Sequence, residues 1–334
     1  MPIPDIHHCP GTLAPGYTTY SSACLRRVFN GHKVSHILPY LTPATDKKTA
    51  ETFLENQKRM SISGVQEKFS VLLEKNKLRL TEQGERGAYI LKPAPVLNSS
   101  TGKLDYPDQL PANEHLTMQI AKQVFGIETA ENALVFFKNG EAAYITKRFD
   151  VNAEGGKLAK EDFASLAGLT PQKDGEHYKY SGCYYDLFLT LKKYSLIYPI
   201  EAPKLFRLMI FNYLFSNGDA HHKNFSLLET LQGDYRLSPA YDLLNTHLHV
   251  DDSVFALVDG LLPINYAVGN IHAQLIYLGI EAEIPEKQVN LILKTMISKQ
   301  DKVQTLIQAS FLSPEFKETY TRQYFDRLQK LNTE

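Results

Sequence analysis

Asn217-Gly218-Asp219-Ala220-His221-His222-Lys223-Asn224, followed after a short apolar stretch by Ser238-Pro239-Ala240-Tyr241-Asp242, decides how this chain reads. An Asp and an Asn leave one loop with four residues between them, and a second Asp comes after a segment with the look of a hairpin. Phosphoryl transfer uses such a set: one carboxylate orients and deprotonates the acceptor hydroxyl, while the Asn and the later Asp hold Mg²⁺ against the phosphates. The spacing matters because Asp219 and Asn224 must approach one phosphate from two sides. Asp-x-x-x-x-Asn alone occurs often by chance; with Pro-Ala-Tyr-Asp behind it, the pattern is specific.

Working upstream, Ser61-Ile62-Ser63-Gly64-Val65-Gln66-Glu67-Lys68 runs into the apolar Phe69–Leu73. Lys75-Asn76-Lys77 turns the chain, Leu78–Thr81 returns, and Tyr89-Ile90-Leu91-Lys92-Pro93 reads as a third strand ending on a lysine. A Ser/Gly loop opening a hairpin, with a lysine on the third strand, is the order of parts in a kinase N-lobe. Ser61, Ser63, Gly64, Gln66 and Lys68 then belong to the loop over the ATP phosphates. It is not a Walker A loop, since nothing matches Gly-x-x-x-x-Gly-Lys-Ser/Thr. Residues 93–112 are polar and rich in turn formers, which predicts a long functional loop. Asn113 is predicted to cap a helix through about Phe125. Glu114 in its first turn suits the helix dipole and equally suits an ion pair with Lys92.

Ala133–Phe137 and Ala142–Lys147 should pair across Asn139-Gly140. Lys147-Arg148-Phe149 reads as a hinge, after which the sequence turns helical at 160–167, 183–191 and 203–216. The pairs 225–228 and 234–238 predict a second hairpin, and helices are expected near 268–279, 286–309 and 313–331. The architecture expected is a two-lobed α/β (α+β) protein-kinase-like fold. It comprises an arm over 1–60, a small β-rich N-lobe over 61–148 and a larger helical C-lobe over 149–334.

Composition limits the function classes. The 334 residues suit two lobes around a cleft, with 43% hydrophobic and 22% charged residues as in soluble globular chains. A net charge of -1 supplies no basic field for nucleic acid. Cys9, Cys24 and Cys183 are odd in number and far apart, which favours a reduced compartment over a disulfide framework. No signal pattern and no membrane-length apolar run is visible, so a cytoplasmic protein is expected. His7, His8, Cys9 and Cys24 fit no zinc spacing, and the adjacent His221 and His222 do not suit a shared metal. His247 and His249 are expected on an exposed strand or loop.

These residues resemble the HipA family of bacterial serine/threonine kinases, the toxins of toxin–antitoxin modules. The matching pieces are Ser61–Lys68, Tyr89–Pro93, Asn113–Lys122, Lys147–Asp150, Glu161-Asp162-Phe163, Asn217–Leu227 and Leu237–Leu244. The resemblance implies Asp219 as catalytic base, Asn224 and Asp242 as Mg²⁺ ligands and Lys92 on the ATP phosphates. It also implies backbone contacts to adenine from the Lys147–Phe149 hinge, with His221, Lys223 and Tyr241 lining the nucleotide. Lys147 stands where longer members often carry a glutamate, so only its backbone is carried over.

Longer members have an extra β-rich subdomain ahead of the Ser/Gly loop, which about 60 residues are too few to hold. The chain is therefore similar to HipT, the short kinase of tripartite HipB–HipS–HipT systems, whose loop carries two serines. The partners implied are a HipS-like small antitoxin, a HipB-like DNA-binding protein and a protein substrate, an aminoacyl-tRNA synthetase with the tryptophanyl enzyme favoured. No direct contact with nucleic acid or membrane is expected. Ser61 and Ser63 are expected sites of autophosphorylation, against the plainer reading that they only turn the chain. Two other classes stay open: a small-molecule kinase of the aminoglycoside-phosphotransferase type, whose loop begins His-Gly-Asp where this one has Asn217, and a non-catalytic subunit of a repressor complex.

Overall fold

The computed structural model describes residues 4–43, 51, 53, 67–95, 104–151, 156–230 and 232–332. The chain forms two compact units, one taking 1–119, 130–149 and 305–317, the other 120–129, 150–304 and 318–334.

The first unit is built on an antiparallel sheet of β1 (Phe69–Glu74), β2 (Lys77–Leu80), β3 (Tyr89–Pro93), β4 (Asn132–Phe136) and β5 (Ala142–Lys147) in the order β2-β1-β3-β5-β4. Alternation sends Phe69 and Val71 of β1, and Tyr89 and Leu91 of β3, to one buried face. Gly140, at φ 84°, closes the β4–β5 hairpin as its Asn-Gly signal predicts. Helix α1 (Ser22–Phe29) is capped by the Ser21 hydroxyl and stopped by Asn30 in the left-handed region. It lays Cys24, Val28 and Phe29 against the sheet. The segment ahead of the sheet is thus part of the core: Tyr20 donates to the Leu134 carbonyl at 2.7 Å and Ile37 forms a parallel bridge to Phe136 of β4.

Helix α2 spans Leu110–Gln123 and corrects the expected start at Asn113. Pro107 opens a 3-10 turn that leads directly into the helix, and Pro111 sits in the first turn, where its missing N–H costs nothing. Asn113 is fully buried inside the helix and its carbonyl accepts from Thr117, so it caps nothing. Glu114 lies on the second turn.

The second unit carries β6 (Lys160–Asp162), β7 (Ser226–Glu229) and β8 (Tyr235–Leu237), paired antiparallel in that order. The helix expected over 160–167 is instead β6 followed by α3 (Phe163–Leu166). Pairing with β7 claims the first three residues, and the Asp162 side chain caps the helix through Ser165 N–H. After α4 (Pro171–Asp174) come α5 (Tyr185–Tyr194) and α6 (Tyr198–Leu214). Helix α6 begins before the expected Pro203, which it carries inside. Buried Glu201 ties it to β8: one oxygen accepts from Leu237 N–H at 3.0 Å and the other pairs with Lys204 at 2.6 Å.

Further helices are α7 (Ile271–Glu281), α8 (Glu286–Met296), α9 (Gln300–Ala309) and α10 (Pro314–Asn332), with the unit boundary falling within α9 and α10. The single helix expected over 286–309 breaks at 297–299, where the Ser298 hydroxyl turns back to the Thr295 carbonyl. His249 is buried, not exposed as expected, because Thr246–Leu248 forms a 3-10 turn that folds it inward. Among the described residues, no helix is long and apolar enough to cross a membrane. Cys9, Cys24 and Cys183 are free thiols.

Gly87 tests the close packing beside β1. A Cβ there would stand 2.7 Å from the Val71 carbonyl oxygen and 2.8 Å from its nitrogen, both backbone atoms that cannot swing away. Gly87→Ala is expected to destabilise the chain by about 1–3 kcal/mol, read as a lowered urea midpoint.

Candidate active site

Helix α6 is apolar on most of its surface, and its last turns stack into an aromatic column. Phe211 lies 4.4 Å from Phe215, which lies 5.0 Å from Tyr324 of α10 within the same unit. The chain leaves the helix through Ser216 at φ 49°, a strained value for a side-chain-bearing residue. Arg327 holds it there by donating to the Ser216 hydroxyl at 3.3 Å. Asn217 is buried and donates to the Asn212 side chain, and Gly218 donates to the Thr246 hydroxyl at 2.9 Å. No side chain fits at Gly218: a Cβ would meet the Ser253 carbonyl at 2.5 Å and an Asp252 carboxylate oxygen at 2.6 Å.

Asp219 follows with its side chain 50% exposed. Its Oδ1 accepts from the Tyr180 hydroxyl at 2.8 Å, and among the described residues its Oδ2 has no hydrogen-bond partner. Loss of hydration pushes its pKa up, with Asp252 and Asp242 adding, while the Tyr180 hydroxyl and the Lys179 ammonium pull it down. His221 is pushed down to about 3, chiefly by burial and next by Lys179, so its ring is neutral at pH 7. Among the described residues its buried Nδ1 has no hydrogen-bond partner, and a polar ligand would satisfy it. Asn224 closes a 3-10 turn, its side-chain oxygen accepting from the His221 N–H at 3.2 Å.

The Phe225–Ser238 segment brings Asp242 back at φ 55°, close enough to act electrostatically on Asp219 and His221. The Tyr241 hydroxyl is committed: it donates to the Lys223 carbonyl at 2.9 Å and meets the Ser226 hydroxyl at 2.5 Å. Lys160 lies over its ring at 4.9 Å. Lys223 reaches the Tyr178 hydroxyl at 3.5 Å. Asn224 and Asp242 both offer side-chain oxygens, which suits a hard cation such as Mg²⁺. Among the described residues, no group of three or more His, Cys, Asp or Glu is placed to hold a metal ion.

In the first unit, Lys92 and Glu114 form a buried ion pair at 2.6 Å, only 5% and 2% of their side chains exposed. The Lys92 ammonium also lies 5.3 Å from the centre of the Tyr144 ring. Lys147 and Arg148 commit their N–H groups to the carbonyls of Glu131 and Ala88 at 2.7 and 2.8 Å, and the Lys147 ammonium reaches Asn30. Phe149 and Lys68 are half-buried. Ser61, Ser63, Gly64 and Gln66 lie outside the described residues.

Tyr180, Tyr184 and Asp252 contact the Gly218–Ala220 stretch without any signal in the sequence that singles them out. They sit 39 and 35 positions before Asp219 and 33 beyond it, and no local pattern links them to it.

The family model described as HipA-like C-terminal domain matches residues 60–303. A Haemophilus influenzae protein named "Putative kinase" is 28% identical over 200 residues, 57% of this chain and 54% of its own. The chain spans about half the length of the curated relatives it matches. A chain of the Shewanella oneidensis MR-1 toxin–antitoxin complex of HipA, HipB and operator DNA superposes with a TM-score of 0.62. It is 20% identical, over 89% of this chain and 76% of that one. The Helicobacter pylori proinflammatory kinase CtkA gives 0.51 at 14% identity, over 78% and 92%. The kinase-like fold is shared with both.

The buried pair separates structure from chemistry. Glu114→Ala takes the carboxylate from the buried Lys92 ammonium and is expected to cost about 3–5 kcal/mol of stability. Joint replacement by Lys92→Met and Glu114→Leu should restore most of that in a denaturant titration while leaving nucleotide affinity, read by calorimetry, strongly reduced.

Proposed function

The chain belongs to the HipA-like C-terminal domain family, and on that premise we propose that it is an ATP- and Mg²⁺-dependent kinase acting on Ser or Thr hydroxyls of a protein. The observation that carries this reading is the Asp219 carboxylate, held at one oxygen and open at the other, on a loop that also bears Asn224. Asp219 orients the acceptor hydroxyl and takes its proton. Asn224 and Asp242 hold Mg²⁺, which neutralises charge building on the phosphates. Lys92, kept in place by Glu114, contacts the phosphates as the strand-three lysine does in kinases. Ser61, Ser63, Gly64, Gln66 and Lys68 form the loop over them. The Lys147–Phe149 backbone, His221, Lys223 and Tyr241 line the nucleotide.

In this reading the protein is the cytoplasmic toxin of a toxin–antitoxin module, with a 61–148 lobe carrying the phosphate loop and a 149–334 lobe carrying the catalytic loop. Support for a HipB-like DNA-binding partner comes from the Shewanella complex, which contains HipB and operator DNA. The Ser-Ile-Ser loop supports the HipT type, a HipS-like antitoxin and an aminoacyl-tRNA synthetase as target. The chain contains no tryptophan, so scarcity of charged tryptophanyl-tRNA would not block its own synthesis, which favours the tryptophanyl enzyme.

Asp219→Gln and Asp242→Asn are each expected to fold normally and to lower transfer from γ-labelled ATP on the order of a thousandfold or more. A folded Asp219→Gln protein with near-normal turnover would remove the base assignment. Phosphoproteomics after brief induction, with Asp219→Gln as control, identifies the target.

Self-modification has its own readout. Phosphate is expected on Ser61 or Ser63 in active protein and not in Asp219→Gln, and Ser→Ala at both should change toxicity. Unmodified serines in active protein would end that part of the reading.

A further inference from the structure

Residues 178–184 touch five consecutive residues of the catalytic loop. The Tyr180 hydroxyl donates to Asp219 at 2.8 Å, and the Tyr184 hydroxyl donates to the Ala220 carbonyl at 2.9 Å. The Tyr180 ring meets the His221 ring edge-on at 5.1 Å. The Ser181 carbonyl lies 2.9 Å from His222 Nε2, and the Tyr178 hydroxyl accepts from Lys223. The segment is itself fixed from behind, since the Tyr180 carbonyl accepts from Val258 N–H at 3.0 Å and the Gly182 carbonyl from Asp259 N–H at 3.0 Å. Lys179 covers the Tyr180 ring at 4.8 Å.

We propose that Tyr180 is the positioning residue of the catalytic base: its hydroxyl locks the Asp219 carboxylate by Oδ1 so that Oδ2 faces the acceptor. A carboxylate on a loop rotates freely about its last side-chain bond unless one oxygen is anchored, and each misplaced orientation removes the base from the proton it must take. The anchor here is a phenol, a neutral donor that keeps its own proton. Its pKa is raised by burial and by the neighbouring Asp219 charge. Oδ2 thus stays the basic oxygen. As the acceptor oxygen bonds to the γ-phosphorus, its proton passes to Oδ2, and ADP leaves with the electron pair of the bond that breaks. Tyr180 neither gives nor receives a proton in this step. The inference rests on the kinase reading of Asp219 and adds the residue that makes its geometry single-valued.

Tyr180→Phe keeps the ring against His221 and under Lys179 and removes only the hydroxyl. With saturating ATP and Mg²⁺, and purified tryptophanyl-tRNA synthetase and dephosphorylated casein as acceptors, kcat should fall roughly 10- to 100-fold. KM for ATP should stay within about twofold. In single turnovers of Asp219→Asn protein, adding Tyr180→Phe should change the rate by less than about twofold, because the hydroxyl acts only through the carboxylate.

Near wild-type kcat for Tyr180→Phe overturns the proposal. So does a further loss in the Asp219→Asn background as large as in wild type, since a general structural role would add to any other lesion. Should Tyr180→Phe lower the thermal midpoint, Tyr180→His, which restores a ring donor, decides: recovery of kcat supports the lock and equal loss in both variants overturns it. Absence of transfer by wild-type protein to either acceptor or to itself would instead strike the kinase reading, and this inference with it.

Discussion

The hydroxyl of Thr246 fastens both sides of the turn that leads into the Asp219–Asn224 loop. It donates to the Ser216 carbonyl at 3.2 Å and lies 2.9 Å from the Gly218 nitrogen, whose N–H it accepts. The Thr246 N–H adds a second bond to the same Ser216 carbonyl at 3.1 Å. A helix end normally leaves carbonyls without partners. Here Thr246, from just beyond Asp242, satisfies the Ser216 carbonyl, so the segment carrying one candidate metal ligand also sets the exit angle of the segment carrying Asp219. The left-handed Ser216 survives because Arg327, Thr246 and the stacked Phe215 over-determine it. Gly218 follows from the same crowding, since Asp252 and Ser253 occupy the space a side chain would need.

The polar groups so collected are expensive to bury, and their arrangement shows what offsets the cost. Asp219, Asp242 and Asp252 repel one another, and that repulsion adds to desolvation in raising the Asp219 pKa. Tyr180 and Lys179 act in the opposite sense. Carboxylates this close, with a neutral His221 beside them, give the site a charge that favours a cation. Asp242 in the left-handed region is a further cost of the same kind, concentrated where chemistry needs it and not at a surface turn, where glycine would be the cheaper choice.

Local signals in the sequence were sufficient wherever one short stretch determined the outcome. Asn139-Gly140 closes β4–β5, and Tyr89–Pro93 forms the third strand as its apolar run indicates. They failed where a distant strand or a proline in a tolerant place overrode them. Pairing with β7 draws Lys160–Asp162 out of a helical pattern, Pro203 is carried within α6, and Pro111 allows α2 to begin before Asn113. The site divides the same way. Asp219, Asn224 and Asp242 announce themselves by spacing along the chain. The contact of Tyr180 with Asp219 spans 39 residues and depends on Val258 holding the backbone behind it, which no window of sequence contains.

The Lys92–Glu114 pair is best understood by asking what would be cheaper. Two charges taken almost wholly out of water at 2.6 Å recover little net energy, and well-packed apolar side chains of similar size would stabilise the first unit as much or more. The Lys92 ammonium lies against the Tyr144 ring, on the face of the sheet opposite Leu91 and Ile145. Stability therefore does not explain the pair. The proposed contact with a phosphate does account for it: the carboxylate holds the ammonium aimed and in one place. Its energetic inefficiency agrees with that proposed role.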